Sequence, residues 1–114
     1  MLSVPWYPAI KQDAKTMVTQ VQLVAEDGVA VDMVGTVTVG RSPERDITIE
    51  STGVSRNHAT LAVTYEGATV TDNGSANGTT VNGAAIKETV ALQHGDQICF
   101  DTHCYHVVFD GQPL

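Results

Sequence analysis

The chain has 114 residues, 42% of them hydrophobic and 17% charged. That length suits one domain rather than two, and the composition excludes wholesale disorder. Six Lys and Arg against 13 Asp and Glu give a formal net charge of −7, a poor electrostatic match for nucleic acid or an anionic membrane.

No apolar run approaches the roughly 18 residues that span a bilayer. The opening MLSVPWYPAIKQ has neither the basic start nor the long apolar stretch of a secretory signal, so the expected location is the cytoplasm. Residues 1–16 read as a flexible tail, with Pro5 and Pro8 bracketing Trp6 and Tyr7 and no sustained period.

From Met17 the pattern changes. Val18, Val21, Leu23 and Val24 open a β-rich stretch that breaks at Asp27-Gly28. Val29, Val31 and Met33 follow, then Val37 and Val39. Ile47 and Ile49 alternate with polar neighbours, as do Ala59, Leu61 and Val63. After a turn at Glu66-Gly67 come Ala68 and Val70, and then Val81, Ile86, Val90, Leu92, Ile98, Phe100, Tyr105, Val107 and Phe109. Short alternating runs separated by Gly, Asn, Asp and Ser predict an all-β sandwich or barrel. The predicted domain spans 17–110, with 111–114 a carboxy-terminal end.

All the arginines, Arg41, Arg45 and Arg56, fall in one short window. Arginine suits phosphate because its planar fork donates two parallel hydrogen bonds. On clustering alone, three scattered surface charges explain the window equally well. Two segments between strands are richer than turns require: 53–58 (GVSRNH) and 72–79 (DNGSANGT), the latter followed by Val81-Asn82-Gly83. Loops on a rigid β scaffold are a common place for binding residues, although Gly and Asn also serve turns that need positive φ.

Taken together, Gly40-Arg41, Ser55-Arg56-Asn57-His58, Ser75-Ala76-Asn77-Gly78-Thr79, Asn82-Gly83 and Gly95-Asp96-Gln97-Ile98, in this order and spacing, resemble the forkhead-associated (FHA) domain family. The resemblance runs from about Val18 to Phe109. It implies a β-sandwich of about eleven strands that binds phosphothreonine peptides through loops at one end. It further implies that Arg41 and Ser55 contact the phosphate with Arg56 adding a contact, and that Asn77 holds the peptide backbone. Ser75 and Ala76 would line a pocket for the threonine methyl, and Gly40, His58, Gly78, Asn82 and Gly83 would be architectural.

The chemistry is consistent with these roles. A phosphate ester carries about −1.5 to −2 charges and three acceptor oxygens, which two guanidiniums and a hydroxyl can cover. An asparagine amide can pair with a peptide N–H and C=O at once. The implied partner is a phosphothreonine-containing protein, a Ser/Thr kinase or a kinase substrate. Neither nucleic acid nor membrane is expected as a partner, and the chain is expected to be a monomer.

Two positions depart from the family pattern. Ala76 stands where many members carry Thr or Ser, which removes one hydroxyl from the loop. Gly53 stands where some relatives place a side chain that reads the peptide downstream of the phosphothreonine. Any such preference must therefore come from elsewhere, for example the loop around Asn73 and Gly74.

Enzyme motifs are absent: there is no nucleophile elbow, Walker-type loop or paired-carboxylate site. No cofactor is expected. His94, Cys99, His103, Cys104 and His106 cluster in sequence, but their spacings fit no familiar zinc pattern. The rival reading is a phosphate-independent scaffold or docking module of the same fold within a larger bacterial assembly. Retention of Arg41, Ser55 and Asn77 together argues against it. Thr16 and Thr19 lack a paired-threonine motif, so self-inhibition by a phosphorylated tail is not expected.

Finally, Gln97–Phe100 and His103–Phe109 read as a hairpin turning at Asp101-Thr102, with Cys99 facing Cys104 on the face opposite Ile98, Phe100, Tyr105 and Val107. The cysteines are expected as facing free thiols in a reducing compartment.

Overall fold

The computed structural model describes residues 20–64 and 66–109. The predicted tail at 1–16, Val18, Thr16, Thr19 and the end at 111–114 lie outside the described residues. Eleven strands form in chain order: β1 Val21–Ala25, β2 Ala30–Met33, β3 Thr36–Gly40, β4 Ile47–Thr48, β5 Ala59–Thr64, β6 Gly67–Asp72, β7 Thr79–Val81, β8 Ala84–Ala85, β9 Val90–Leu92, β10 Gln97–Phe100 and β11 His103–Phe109. They make a six-stranded sheet in the order β2-β1-β11-β10-β7-β8 and a five-stranded sheet in the order β4-β3-β5-β6-β9. Pairing is antiparallel except between β3 and β4. Among the described residues no helix is long and apolar enough to cross a membrane.

The alternation read from the sequence becomes the core. In β5, Ala59 and Leu61 are buried while Thr60 and Ala62 face outward. Val21, Leu23, Ile98, Phe100 and Val107 from one sheet meet Val37, Val39, Leu61, Val70 and Leu92 from the other. Each large apolar side chain buried this completely contributes roughly 1.5–3 kcal/mol. Val54 joins the core from a loop. Val29 does not: it sits at the β1–β2 turn and is 58% exposed.

Asn82 (φ 52) and Gly83 (φ 86) are the two central residues between β7 and β8, and positive φ at both is what a type I′ hairpin requires. The Asn82 side chain also ties this turn to the β9–β10 segment: its amide donates to Asp96 and its carbonyl accepts from the Gln97 N–H.

The β10–β11 hairpin has the predicted register, with Phe100 opposite His103, Cys99 opposite Cys104 and Ile98 opposite Tyr105. Its two-residue turn forms without glycine because Asp101 itself takes a positive φ of 59, which a short polar side chain tolerates better than most. The expectation of free thiols is corrected: Cys99 and Cys104 are joined in a disulfide, with Cα atoms 4.0 Å apart. Directly facing residues of a non-hydrogen-bonded antiparallel pair lie close enough for both sulfurs to meet. A reducing compartment was expected to keep the thiols free despite that proximity, and the short distance prevails here. The bond also removes both cysteines from any metal-ligand set.

Candidate functional site

The antiparallel topology collects four loops at one end of the sandwich. β3 ends there at Gly40, β5 begins there at Ala59, β6 ends at Asp72 and β7 begins at Thr79, while β10 turns into β11 at Asp101. The richest sequence segments therefore converge although they are far apart in the chain.

Gly40 allows the closest approach. A Cβ at this position would overlap the Arg56 backbone carbonyl, so the β3–β4 and β4–β5 loops can touch only through glycine. The contact is laced by the Arg41 N–H donating to Ser55 O at 2.9 Å and the Ser42 N–H donating to Arg56 O at 3.3 Å. The Arg41 Nε donates to Val54 O at 3.0 Å. This fixes the guanidinium by its inner nitrogen; among the described residues its two terminal amino groups have no partner. Arg41 and Arg56, both exposed, line one open pocket with Ser42, Pro43 and Glu44. Arg45 is not part of it: its guanidinium lies 4.0 Å from Glu44, and it does not line that pocket. The arginine window thus resolves into two arginines at the site and one beside it.

Ser55 bridges to the next loop. Its hydroxyl accepts the Ala76 N–H at 3.0 Å. That bond uses an oxygen lone pair and leaves the hydroxyl proton available to donate. The Ser55 N–H in turn donates to His58 Nδ1 at 3.1 Å. With Nδ1 accepting, the proton sits on Nε2, which donates to Gly78 O at 2.9 Å. His58 is fully buried and meets Phe100 edge-on at 5.8 Å between ring centroids. Both ring nitrogens are committed, so the imidazole serves as a strut between the β4–β5 and β6–β7 loops.

The β6–β7 loop is held by Asp72, which the sequence reading passed over. Its carboxylate accepts the Gly74 and Ser75 N–H groups, each at 3.0 Å, and the Ser75 and Thr79 hydroxyls. Burial pushes the Asp72 pKa up, but the hydrogen bonds from Ser75, Thr79 and Gly74 together outweigh it and hold the carboxyl below its ordinary 3.8. The Ser75 hydroxyl also accepts the Gly78 N–H at 2.9 Å, and Gly78 takes a φ of 88. An aspartate three residues before a serine was the available signal, since such side chains close turns on nearby amides.

Asn77 and Ala76 are exposed at the crest of this loop. The Asn77 amide donates to Gly53 O at 2.9 Å, which leaves its carbonyl and one N–H for a ligand. Asn73 points away from such a role, because its amide donates to Asn57 and Thr60. The structure therefore brings Arg41, Ser55, Arg56, Ser75, Ala76 and Asn77 to one end with His58, Gly40 and Gly78 beneath them. Asn82 and Gly83 lie at the other end of β7.

A family model described as FHA domain matches residues 37–101, more than half the chain, and the chain belongs to the FHA domain family. Over 64 residues it is 44% identical to the ABC transporter ATP-binding/permease protein Rv1747 of Mycobacterium tuberculosis, a match covering 56% of this chain and 7% of that protein. Over 63 residues it is 43% identical to the oxoglutarate dehydrogenase inhibitor of Corynebacterium efficiens, covering 55% of this chain and 44% of that protein. The chain thus spans less than half the length of these curated relatives.

Among solved structures, one from a structural and functional analysis of phosphothreonine-dependent FHA domain interactions superposes with a TM-score of 0.75 at 31% identity, covering 84% of this chain and 100% of that one. The FhaA FHA domain complexed with the intracellular domain of Rv3910 gives a TM-score of 0.69 at 30% identity, covering 77% and 97%. Mycobacterium tuberculosis EmbR in complex with a low-affinity phosphopeptide gives 0.80 at 25% identity, covering 91% and 29%.

Proposed function

We propose that this FHA domain, over residues 17–110, is a phosphothreonine-dependent protein-interaction module and not an enzyme. The observation that carries this reading is the pairing of Arg41 with Arg56 in one open pocket, beside a serine hydroxyl whose proton is free to donate. The terminal amino groups of Arg41 and the Ser55 hydroxyl take the phosphate oxygens, and Arg56 adds a contact from the rim. Asn77 pairs with the peptide backbone. Ala76 and Ser75 border the space for the threonine methyl, whose burial is worth about 0.8 kcal/mol over phosphoserine. Gly40, His58 and Gly78 keep the loops in register, and Asn82 and Gly83 close a hairpin away from the ligand.

The partner is a phosphothreonine-bearing protein, a Ser/Thr kinase or a kinase substrate, bound by a monomer. The phosphate-independent scaffold is disfavoured because it gives no reason for an acidic chain to hold two arginines together in one open pocket. Isothermal titration with matched phosphothreonine, phosphoserine and unmodified peptides tests the proposal. Binding confined to the phosphorylated forms and tightest for phosphothreonine is expected. Equal affinity for the unmodified peptide would replace this reading with the scaffold.

A further inference from the structure

The turn between β10 and β11 brings a carboxylate to the ligand end. The Asp101 N–H donates to Gly78 O at 3.2 Å, which anchors the turn to the loop that carries Asn77. A Cβ built at Gly53 would overlap the Asp101 carboxylate and come within 3.3 Å of the Asn77 amide nitrogen. The absent side chain at position 53 thus leaves a space, and Asp101 fills it from another part of the chain. Among the described residues the Asp101 carboxylate makes no hydrogen bond or ion pair. An unpaired carboxylate held partly buried beside loop backbone is costly unless solvent or a ligand satisfies it.

We infer that Asp101 is a specificity-determining residue that selects a phosphopeptide carrying a cationic side chain, Arg or Lys, near the phosphothreonine. The inference rests on the phosphothreonine reading above. It adds a second charged anchor of opposite sign: the dianion sits at Arg41 and Arg56, and the cation pairs with Asp101 where the peptide passes Asn77. The overall charge of −7 attracts basic peptides at long range, but only a local carboxylate favours one position over the others.

The test is a titration series in which a phosphothreonine peptide with neutral flanks receives Arg or Glu in turn at each flanking position. At one or two positions the Arg-over-Glu affinity ratio is expected to exceed that at the remaining positions by about fivefold, as for a partly exposed charge pair, and added salt is expected to shrink this positional preference. Asp101→Asn removes the charge while tolerating positive φ, and Asp101→Gly does so without any side chain. Both should abolish the positional preference and still bind the neutral phosphopeptide. Glu66→Gln, which removes the same charge in the β5–β6 turn at the opposite end, should keep the preference. Survival of the preference in both Asp101 variants would overturn the inference, as would its absence in a wild-type domain that binds phosphopeptide. Failure of the wild type to distinguish phosphorylated from unmodified peptide would instead remove the functional reading, and this inference with it.

Discussion

Ser55 and Ala76, 21 residues apart in the chain, are joined by one hydrogen bond from the Ala76 amide to the Ser55 hydroxyl at 3.0 Å. The bond locks the loop that carries Ser55 to the loop that carries Asn77. It also orients the hydroxyl: with its lone pair engaged by an N–H, the proton points elsewhere. Preorganisation of this kind spares a ligand the cost of ordering both loops on binding.

Ser55→Ala should therefore act twice. It removes the hydroxyl proposed to donate to phosphate and unhooks Ala76. A stability loss of about 1 kcal/mol is expected, read as a melting-temperature drop of about 4–8 °C, together with a much larger loss of phosphopeptide affinity. Wild-type affinity in this variant would show that the hydroxyl serves the loop alone.

Arg41→Ala should cost about 2–5 kcal/mol of binding, as expected when a partly desolvated charge pair loses one partner. Its melting temperature should stay near wild type, because one side-chain bond to Val54 O is all that is lost from the fold. Arg56→Ala should cost less, since among the described residues no hydrogen bond holds its guanidinium in place, whereas Arg41 Nε is fixed to Val54 O. Calorimetry showing the reverse order would exchange the two roles.

Gly40→Ala and Gly53→Ala both introduce a methyl into occupied space, but the obstacles differ. At Gly40 the obstacle is the Arg56 backbone carbonyl, which cannot move without parting two loops. A loss of about 3 kcal/mol or more is expected, in the range of severe overpacking. At Gly53 it is the end of the Asp101 side chain, which can rotate aside at a cost of about 1 kcal/mol. Chemical denaturation of the two variants checks the ranking, and equal losses would count against it.

Asp72 sets the acid limit of the β6–β7 loop. Its carboxyl is held below the ordinary 3.8, so the ionised form is favoured by the fold. The associated stability is fully present above the unfolded pKa and is lost as pH falls through the lower folded one. Loop order, followed by amide exchange at Gly74 and Ser75, should persist at pH 5 and weaken only in the window below about 4. Asp72→Ala should show the weakened loop at neutral pH and lose about 1.5–3 kcal/mol.

Much of the sandwich was legible because antiparallel strands with one buried face write a period of two into the sequence, as Ala59 and Leu61 against Thr60 and Ala62 illustrate. Arg41, Ser55 and Asn77 were legible because their neighbours are glycines and turn residues with fixed conformational demands. Other features carry no local pattern. Val54 enters the core from a loop, and Asp101 reaches the ligand end only because β10 pairs with β7. The gap that Asp101 fills at Gly53 is visible in sequence only as a missing side chain. The disulfide followed from the very register that the sequence predicted, but redox state depends on more than register.

The sheet order carries a consequence for self-association. The four outermost strands, β2, β4, β8 and β9, are four, two, two and three residues long, whereas β5, β6 and β11 in the interior run to six and seven. An exposed strand edge is a template on which a second chain can add its own strand, and brevity is one of the ways proteins blunt it. Among the described residues, no border of either sheet offers more than four consecutive strand residues for such annealing. Borders this short disfavour edge-to-edge annealing between copies of the domain.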